Sequence, residues 1–114
     1  MINDEIKVAL QPLNVPVVAD IYNGQENIFV TFNVNTVPIY HGDNQPRFIK
    51  SLIQVHLFAP LRQDVIALRD NIVTLLFKAD FTWPTETNNT DDTGQHYVYE
   101  CESIEVPNYG ESDS

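Results

Sequence analysis

The chain has 114 residues, is 43% apolar with one Trp, five Tyr and six Phe, and carries a formal net charge of −10. That length holds a single core, and that composition excludes wholesale disorder. The acidic balance argues against nucleic acid as the main partner, because phosphate binding is carried mostly by Lys and Arg.

Ile2, Ile6, Ala9, Leu10 and Leu13 recur at helical spacing, so Met1 to Leu13 reads as a short helix. Asn3 is placed to cap it, and Asp4 and Glu5 sit in the first turn, where the helix dipole favours acids. Asn14 to Pro16 ends it, since a residue before proline avoids helical geometry. Val17 to Tyr22 reads as a first strand. Asn23-Gly24 then signals a tight hairpin, whose two central residues need positive φ. Ile28 to Asn35 alternates, with Ile28, Val30, Phe32 and Val34 on one face and Phe29, Thr31 and Asn33 on the other. A half-buried antiparallel strand fits that pattern.

Thr36 to Arg47 contains Pro38, Gly42, Asp43, Asn44 and Pro46 and reads as a long connection. Phe48 to Phe58 is the next strand, with Ile53, Val55 and Leu57 toward the core and Gln54, His56 and Phe58 opposite. Pro60 suits a first helical turn. Leu61, Val65, Leu68, Ile72, Leu75, Leu76 and Ala79 form one apolar stripe, which predicts a helix from Leu61 to Ala79. Asp80 punctuates its end. Phe81 to Pro84 reads as a strand start, with Trp83 as a partly buried anchor in preference to an exposed binding wedge with Pro84. Thr85 to Gln95 reads as a mobile polar loop. In the last strand, His96 to Val106, Tyr97, Tyr99 and Cys101 share one face and Val98, Glu100 and Glu102 the other. The residues from Pro107 onward read as a frayed acidic tail.

This order predicts one α+β domain over 1–114: a mostly antiparallel twisted sheet of about five strands with two main helices packed on one face. Phe29, Phe58 and Val98 would then lie on an otherwise polar open face. Exposed edges and apolar patches invite partners, so an oligomer is expected.

Few residues point to chemistry. The lone Cys101 excludes an intrachain disulfide and a multi-cysteine zinc site, and reads as a small buried hydrophobe. His56 and His96 lie on strands, but without the spacing of a ligand pair, so no metal is expected. Glu100 and Glu102 share a strand face; a solvated face is the better reading than an acid–base pair. No phosphate loop, nucleophile elbow or nucleotide fingerprint is present, so neither an enzyme nor a cofactor is expected. No secretion signal is visible, and no apolar run approaches the roughly 18 residues that span a bilayer. Asn88-Asn89-Thr90 fits a glycosylation acceptor, idle without a secretory route.

Charge is placed unevenly. Met1 to Ala79 holds seven acids and six bases, whereas Asp80 to Ser114 holds nine acids and no Lys or Arg. Such a field repels phosphates and anionic membrane and attracts cationic surfaces.

Several blocks in order carry a resemblance. They are Ile21-Tyr22-Asn23-Gly24 with Ile28-Phe29-Val30-Thr31-Phe32-Asn33, then Ile53-Gln54-Val55-His56-Leu57-Phe58. Leu75-Leu76-Phe77-Lys78-Ala79-Asp80-Phe81-Thr82 and His96-Tyr97-Val98-Tyr99-Glu100-Cys101-Glu102 follow. Together they resemble the tail-completion proteins of long-tailed bacteriophages and prophages, the tail terminators and tail-to-head joining proteins. The resemblance implies a non-enzymatic virion structural protein that forms a hexameric ring and completes the tail. Its implied partners are further copies of itself, the tail-tube protein and head-connector proteins, with DNA only as passing cargo and no membrane or small-molecule substrate. Its implied place is the tail or neck of the virion, and the host cytoplasm during assembly.

Two expectations follow. Tyr40, His41, Asp43, Asn44 and Arg47, with Asn89, Asp91 and Asp92, belong to docking loops that order on contact with tube or connector. Glu86, Asp91, Asp92, Glu100 and Glu102 line the ring lumen or rim, where negative walls keep DNA from adhering. The rival reading is an acidic DNA mimic that blocks a DNA-binding enzyme, with affinity that falls as salt rises.

Overall fold

A computed structural model describes residues 2–40 and 46–105. Helix α1 (Ile2–Leu10) runs into a 3-10 turn (Gln11–Leu13), followed by β1 (Val17–Ala19), β2 (Phe29–Tyr40) and β3 (Pro46–Ala59). Helix α2 (Ile66–Lys78), β4 (Thr85–Asn88) and β5 (Gln95–Glu105) complete the α+β fold. The five strands form one sheet in the order β1-β2-β3-β5-β4. All neighbours are antiparallel except β1 and β2, which are parallel.

Strand alternation sorts the side chains as expected. Val30 and Phe32 from β2, Ile53, Val55 and Leu57 from β3, and Tyr97, Tyr99 and Cys101 from β5 are buried on one face. Ile6 and Leu10 of α1, Leu13 of the 3-10 turn, and Ile72 and Leu76 of α2 close over them in a single cluster. Fully burying an aliphatic chain of this size contributes about 1.5–3 kcal/mol. Burial also pushes the Cys101 thiol up to about 11, so it is an inert hydrophobe.

Four expectations are corrected. Asn23-Gly24 makes no hairpin: Val17 lies opposite Val30 and Ala19 opposite Phe32 in parallel register, which no two-residue turn can connect. Asp20 turns the chain off β1 at a left-handed φ of 64°, donating its N–H to Phe32 O at 2.8 Å. Gly24 is required for space rather than for φ, because a Cβ there would collide with the ring of Tyr22. That ring's hydroxyl accepts the Glu26 N–H at 3.0 Å.

The connection from Thr36 to Arg47 is largely strand. β2 and β3 pair from Phe29 opposite Phe58 out to Tyr40 opposite Pro46. Pro38 is tolerated because alternate residues face alternate neighbours. Val30 N–H and Phe32 C=O face the β1 side, so the missing N–H of Pro38 points to that same edge, where β1 no longer reaches.

α2 begins at Ile66, five residues later than its stripe suggests. Pro60 opens a turn instead, with Gln63 N–H bonded to Pro60 O at 3.0 Å. Buried Gln95 fixes that turn: its Nε2 donates to Pro60 O and Gln63 O, both at 2.7 Å, and its Oε1 accepts from Tyr97 Oη at 2.9 Å. Leu61 therefore lies 51% exposed, and Asp64 Oδ1 accepts the first helical N–H, that of Ile66, at 3.1 Å.

Thr85 to Gln95 is ordered. β4 pairs with β5 from Thr85 opposite Glu100 to Asn88 opposite Tyr97. Asn88 Oδ1 accepts from Thr90 N–H and Asp91 Oδ1 from Thr93 N–H, both at 2.9 Å, so short polar side chains shape the turn. The predicted acidic tail from Pro107 lies outside the described residues.

Ile72 is fully buried and Leu61 half out. Ile72→Ala is expected to cost about 2–5 kcal/mol by urea denaturation. Leu61→Ala is expected to stay within about 0.5 kcal/mol; equal losses would mean that the described burial is wrong.

Candidate functional site

The helices cover one face of the sheet, and the other face is open. Cross-strand register lays out its rows: Phe29, Phe58 and His96 at one end, then Thr31, His56 and Val98, then Asn33, Gln54 and Glu100. Asn35, Leu52 and Glu102 follow, and Val37, Lys50 and Ile104 lie farther out.

The first row is a continuous aromatic stack. Tyr22 lies on Phe29 at 4.6 Å between ring centroids, Phe29 on Phe58 at 5.0 Å, and Phe58 on His96 at 4.3 Å. Each ring comes from a different strand or loop, so the stack ties the β1–β2 connection to the sheet. Such pairs contribute about 0.5–1.5 kcal/mol beyond area burial. An open cleft of about 440 Å³ lies beside the stack, lined by Phe29, Phe58 and His96 and by the Asp91–Gln95 turn.

His56 and His96 meet on the diagonal between β3 and β5, with His56 Nδ1 to His96 Nε2 at 2.9 Å. His56 Nε2 donates to Asn33 Oδ1 at 3.3 Å, which leaves His56 Nδ1 bare to accept from His96 Nε2–H. Both rings are half-buried, and desolvation holds both below the ordinary histidine value, with the charge of His96 adding to the effect on His56. Glu100 acts oppositely on His56, and Asp91 on His96. No group of three or more potential metal ligands occurs among the described residues.

The five expected wall acids do not come together. Glu86 lies opposite Tyr99, on the helix side of the sheet. Its Oε1 accepts from Arg69 Nη2 at 2.8 Å, and its Oε2 from Arg69 Nε at 3.1 Å and from Tyr99 Oη at 2.6 Å. The guanidinium fork holds Glu86 below the usual carboxylate range, while burial and the Glu86 charge push the Tyr99 phenol up. Arg69 also lies over the Tyr97 ring at 4.2 Å. Glu102 is on the open face, paired with Lys50 at 3.2 Å. Glu100, on the same face, accepts from Gln54 Nε2 at 3.1 Å. Asp91 and Asp92 sit in the turn before β5, where hydrogen bonds from Thr93 hold Asp91 below the usual carboxylate range.

The expected docking residues also divide. Tyr40 and Arg47 end the β2–β3 arm, whose residues 35–38 are exposed on both faces, and His41, Asp43 and Asn44 lie outside the described residues. Asn89 is tied by its N–H to His96 O at 2.7 Å. With Asp91 and Asp92 it belongs to a segment whose turn is shaped by its own hydrogen bonds.

Two features escaped the sequence reading. The histidine pair needs the β3–β5 register, which no local pattern supplies. The Phe77–Trp83 contact is the second: Trp83, read as a partly buried anchor in preference to an exposed wedge, is 63% exposed and meets exposed Phe77 edge-on at 5.1 Å. Phe77 is the signal that was available, because it falls off the apolar stripe of α2.

No protein-family model and no curated protein sequence matches the chain. Several solved protein chains match, one of them superposing with a TM-score of 0.57 and covering 96% of this chain and 98% of that chain at 13% identity. At that identity the likeness shows the fold alone. No described helix is long and apolar enough to cross a membrane.

The histidine pair sets a pH dependence. Both folded values are depressed, so the unfolded chain binds more protons and stability rises with pH. Their contribution is complete above the ordinary value of about 6.5 and is lost as pH falls toward the depressed values. Urea denaturation at about pH 7.5 and about pH 5.5 should show this loss, and the double variant His56→Gln with His96→Gln should flatten it. An unchanged slope in the double variant would assign the loss to carboxylates.

Proposed function

We propose that the chain is a non-enzymatic virion structural subunit, a ring-forming tail terminator or tail-to-head joining protein. The resemblance supplies the family, and one structural observation carries the reading. Large apolar side chains stand in solvent on a chain of net charge −10: Val8 and Ile21 on one side, Ile66, Phe77 and Trp83 on the other, Val37 and Ile104 on the arm. Scattered single residues of this kind need no explanation, but clusters at defined edges mark contact surfaces.

In this reading the subunit contacts copies of itself, then the tail tube and the head connector, with DNA passing through the ring. The virion tail or neck is its final place, and the host cytoplasm its place of assembly. Its work is association, so no cofactor, membrane or small-molecule substrate is called for. The DNA-mimic alternative draws no support from the acids: they divide between two faces, and Arg69 and Lys50 neutralise two of them.

Light scattering behind a sizing column, at low and high salt, tests the proposal. A hexamer-sized species with little salt sensitivity is expected, because apolar contacts are not screened. A monomer that binds a basic DNA-processing enzyme at low salt and releases it at high salt would favour the mimic.

A further inference from the structure

We infer that the His56–His96 contact on the open face is a proton-operated latch with two stages: it stays shut when the pair takes one proton and opens when it takes a second. Opening frees the His96 ring to leave the aromatic stack for the cleft beside it. The device is independent of the assembly proposed above.

The hydrogen bonds of the pair fix where each proton goes. Asn33 Oδ1 is an amide oxygen and only accepts, so His56 Nε2, 3.3 Å away, carries a hydrogen. A neutral imidazole has one N–H, so His56 Nδ1 is bare and accepts from His96 Nε2–H across 2.9 Å. The nitrogen left open is His96 Nδ1. A first proton enters there and turns a neutral contact into a charge-assisted one. A second proton has only His56 Nδ1, inside the contact, where N–H would then face N–H between two imidazolium rings. The two sites are therefore coupled and titrate in separate steps, His96 before His56. Nearby charge points the same way. Asp91 favours a proton on His96, whereas on His56 the opposing charge of His96 outweighs the favourable one of Glu100.

The surroundings decide which ring moves. In its row His56 lies between Thr31 and Val98, 7% and 6% exposed, and it is tied to Asn33. His96 is the last ring of the stack, 4.3 Å from Phe58, and lines the cleft of about 440 Å³ together with Asp91, Thr93 and Gly94. An imidazolium expelled from the pair thus has space and an attracting carboxylate on the cleft side. Elsewhere around the pair the open face is neutral: Val18 of β1, Thr31 and Asn33 of β2, Gln54 of β3 and Thr87 of β4 share it. Lys50 and Glu102 lie farther out and pair with each other. The connections at the sheet end add Asp20, Glu26 and Asp92 as acids and Arg62 as a base.

NMR of the nitrogen-labelled full chain tests this, through the long-range couplings that report each imidazole nitrogen. His41→Gln clears the third histidine from the spectrum. At about pH 7.5 both rings of the pair should be Nε2–H tautomers. On acidification His96 should gain its Nδ1 proton first, and His56 should follow at least about one pH unit lower. The ring protons of Phe58 and Phe29 should hold through the first step and shift in the second. His56→Gln keeps an amide oxygen that accepts from His96, so it should retain the first step and abolish the ring shift. His96→Gln keeps an amide that donates to His56, and it should raise the His56 midpoint because the neighbouring cation is gone. Circular dichroism verifies that each variant is folded, and the titration with both histidines in place decides the inference even where one is not. One merged step, His56 protonating first, an Nδ1–H tautomer on His56, or stack rings that move with the first proton or not at all overturns it.

Discussion

The helical layer is too short for the sheet it covers, and most of what is distinctive about this protein follows from that mismatch. β3 has 14 residues, about 46 Å at roughly 3.3 Å per residue. α2 has 13 residues, about 20 Å at 1.5 Å per residue. The core is therefore confined to the stretch where both helices lie over β2, β3 and β5. Beyond it the sheet continues by hydrogen bonding and cross-strand pairing alone, as a projecting arm. The opposite face receives no helix at all. A domain of this size cannot cover what remains without longer helices or a second layer, and an apolar surface left uncovered favours association over solvation.

Polar contacts replace apolar ones where the helices do not reach. β4 is exposed at every position and would fray on hydrophobic grounds. It is held by its ladder to β5 and by Glu86, which takes both arms of the Arg69 guanidinium and the Tyr99 hydroxyl. Gln95 plays the corresponding part at the start of α2, spending its whole amide on two backbone carbonyls and a tyrosine. These contacts order a segment that is compositionally a loop. They do so without covering Trp83 and Phe77, so order and exposure coexist at this edge.

The pattern of success in reading the sequence has the same origin. Alternation in Ile28 to Asn35 and in His96 to Glu102 marked the buried face, because one-sided burial writes itself into every second residue. The stripe through Val65, Ile72 and Leu76 marked α2 for the same reason. Pairing direction is not written locally. Asn23-Gly24 carries the composition of a hairpin, yet β1 is parallel, and the decisive residue is Asp20 with its positive φ. Asn14 and Asp80 take the same left-handed geometry, at the ends of the 3-10 turn and α2, so the Asx residues rather than the glycines punctuate this chain. Proline, aspartate and glycine between Thr36 and Arg47 suggested a loop. An edge with no neighbour accepts proline, and only the sheet order reveals that edge. The site was legible to the extent that Phe29 and Phe58 belonged to the open face. The histidine contact depends on two strands separated by forty residues.

The distribution of acids constrains any ring built from this subunit. Glu86 projects from the helix side of the sheet, whereas Glu100 and Glu102 project from the open face. A channel faces one side of a subunit, so Glu86 cannot share a wall with the other two. Glu86 is also bound to Arg69, and Glu102 to Lys50, so neither offers a full unpaired charge. Glu100 on the open face, and Asp91 and Asp92 in the turn at the end where the aromatic stack lies, belong to neither ion pair found among the described residues. A negative lumen is therefore consistent with this fold in one orientation, with the open face inward and the helices outward. In a ring of that orientation the two edge strands, β1 and β4, would be the parts of the sheet turned toward neighbouring copies.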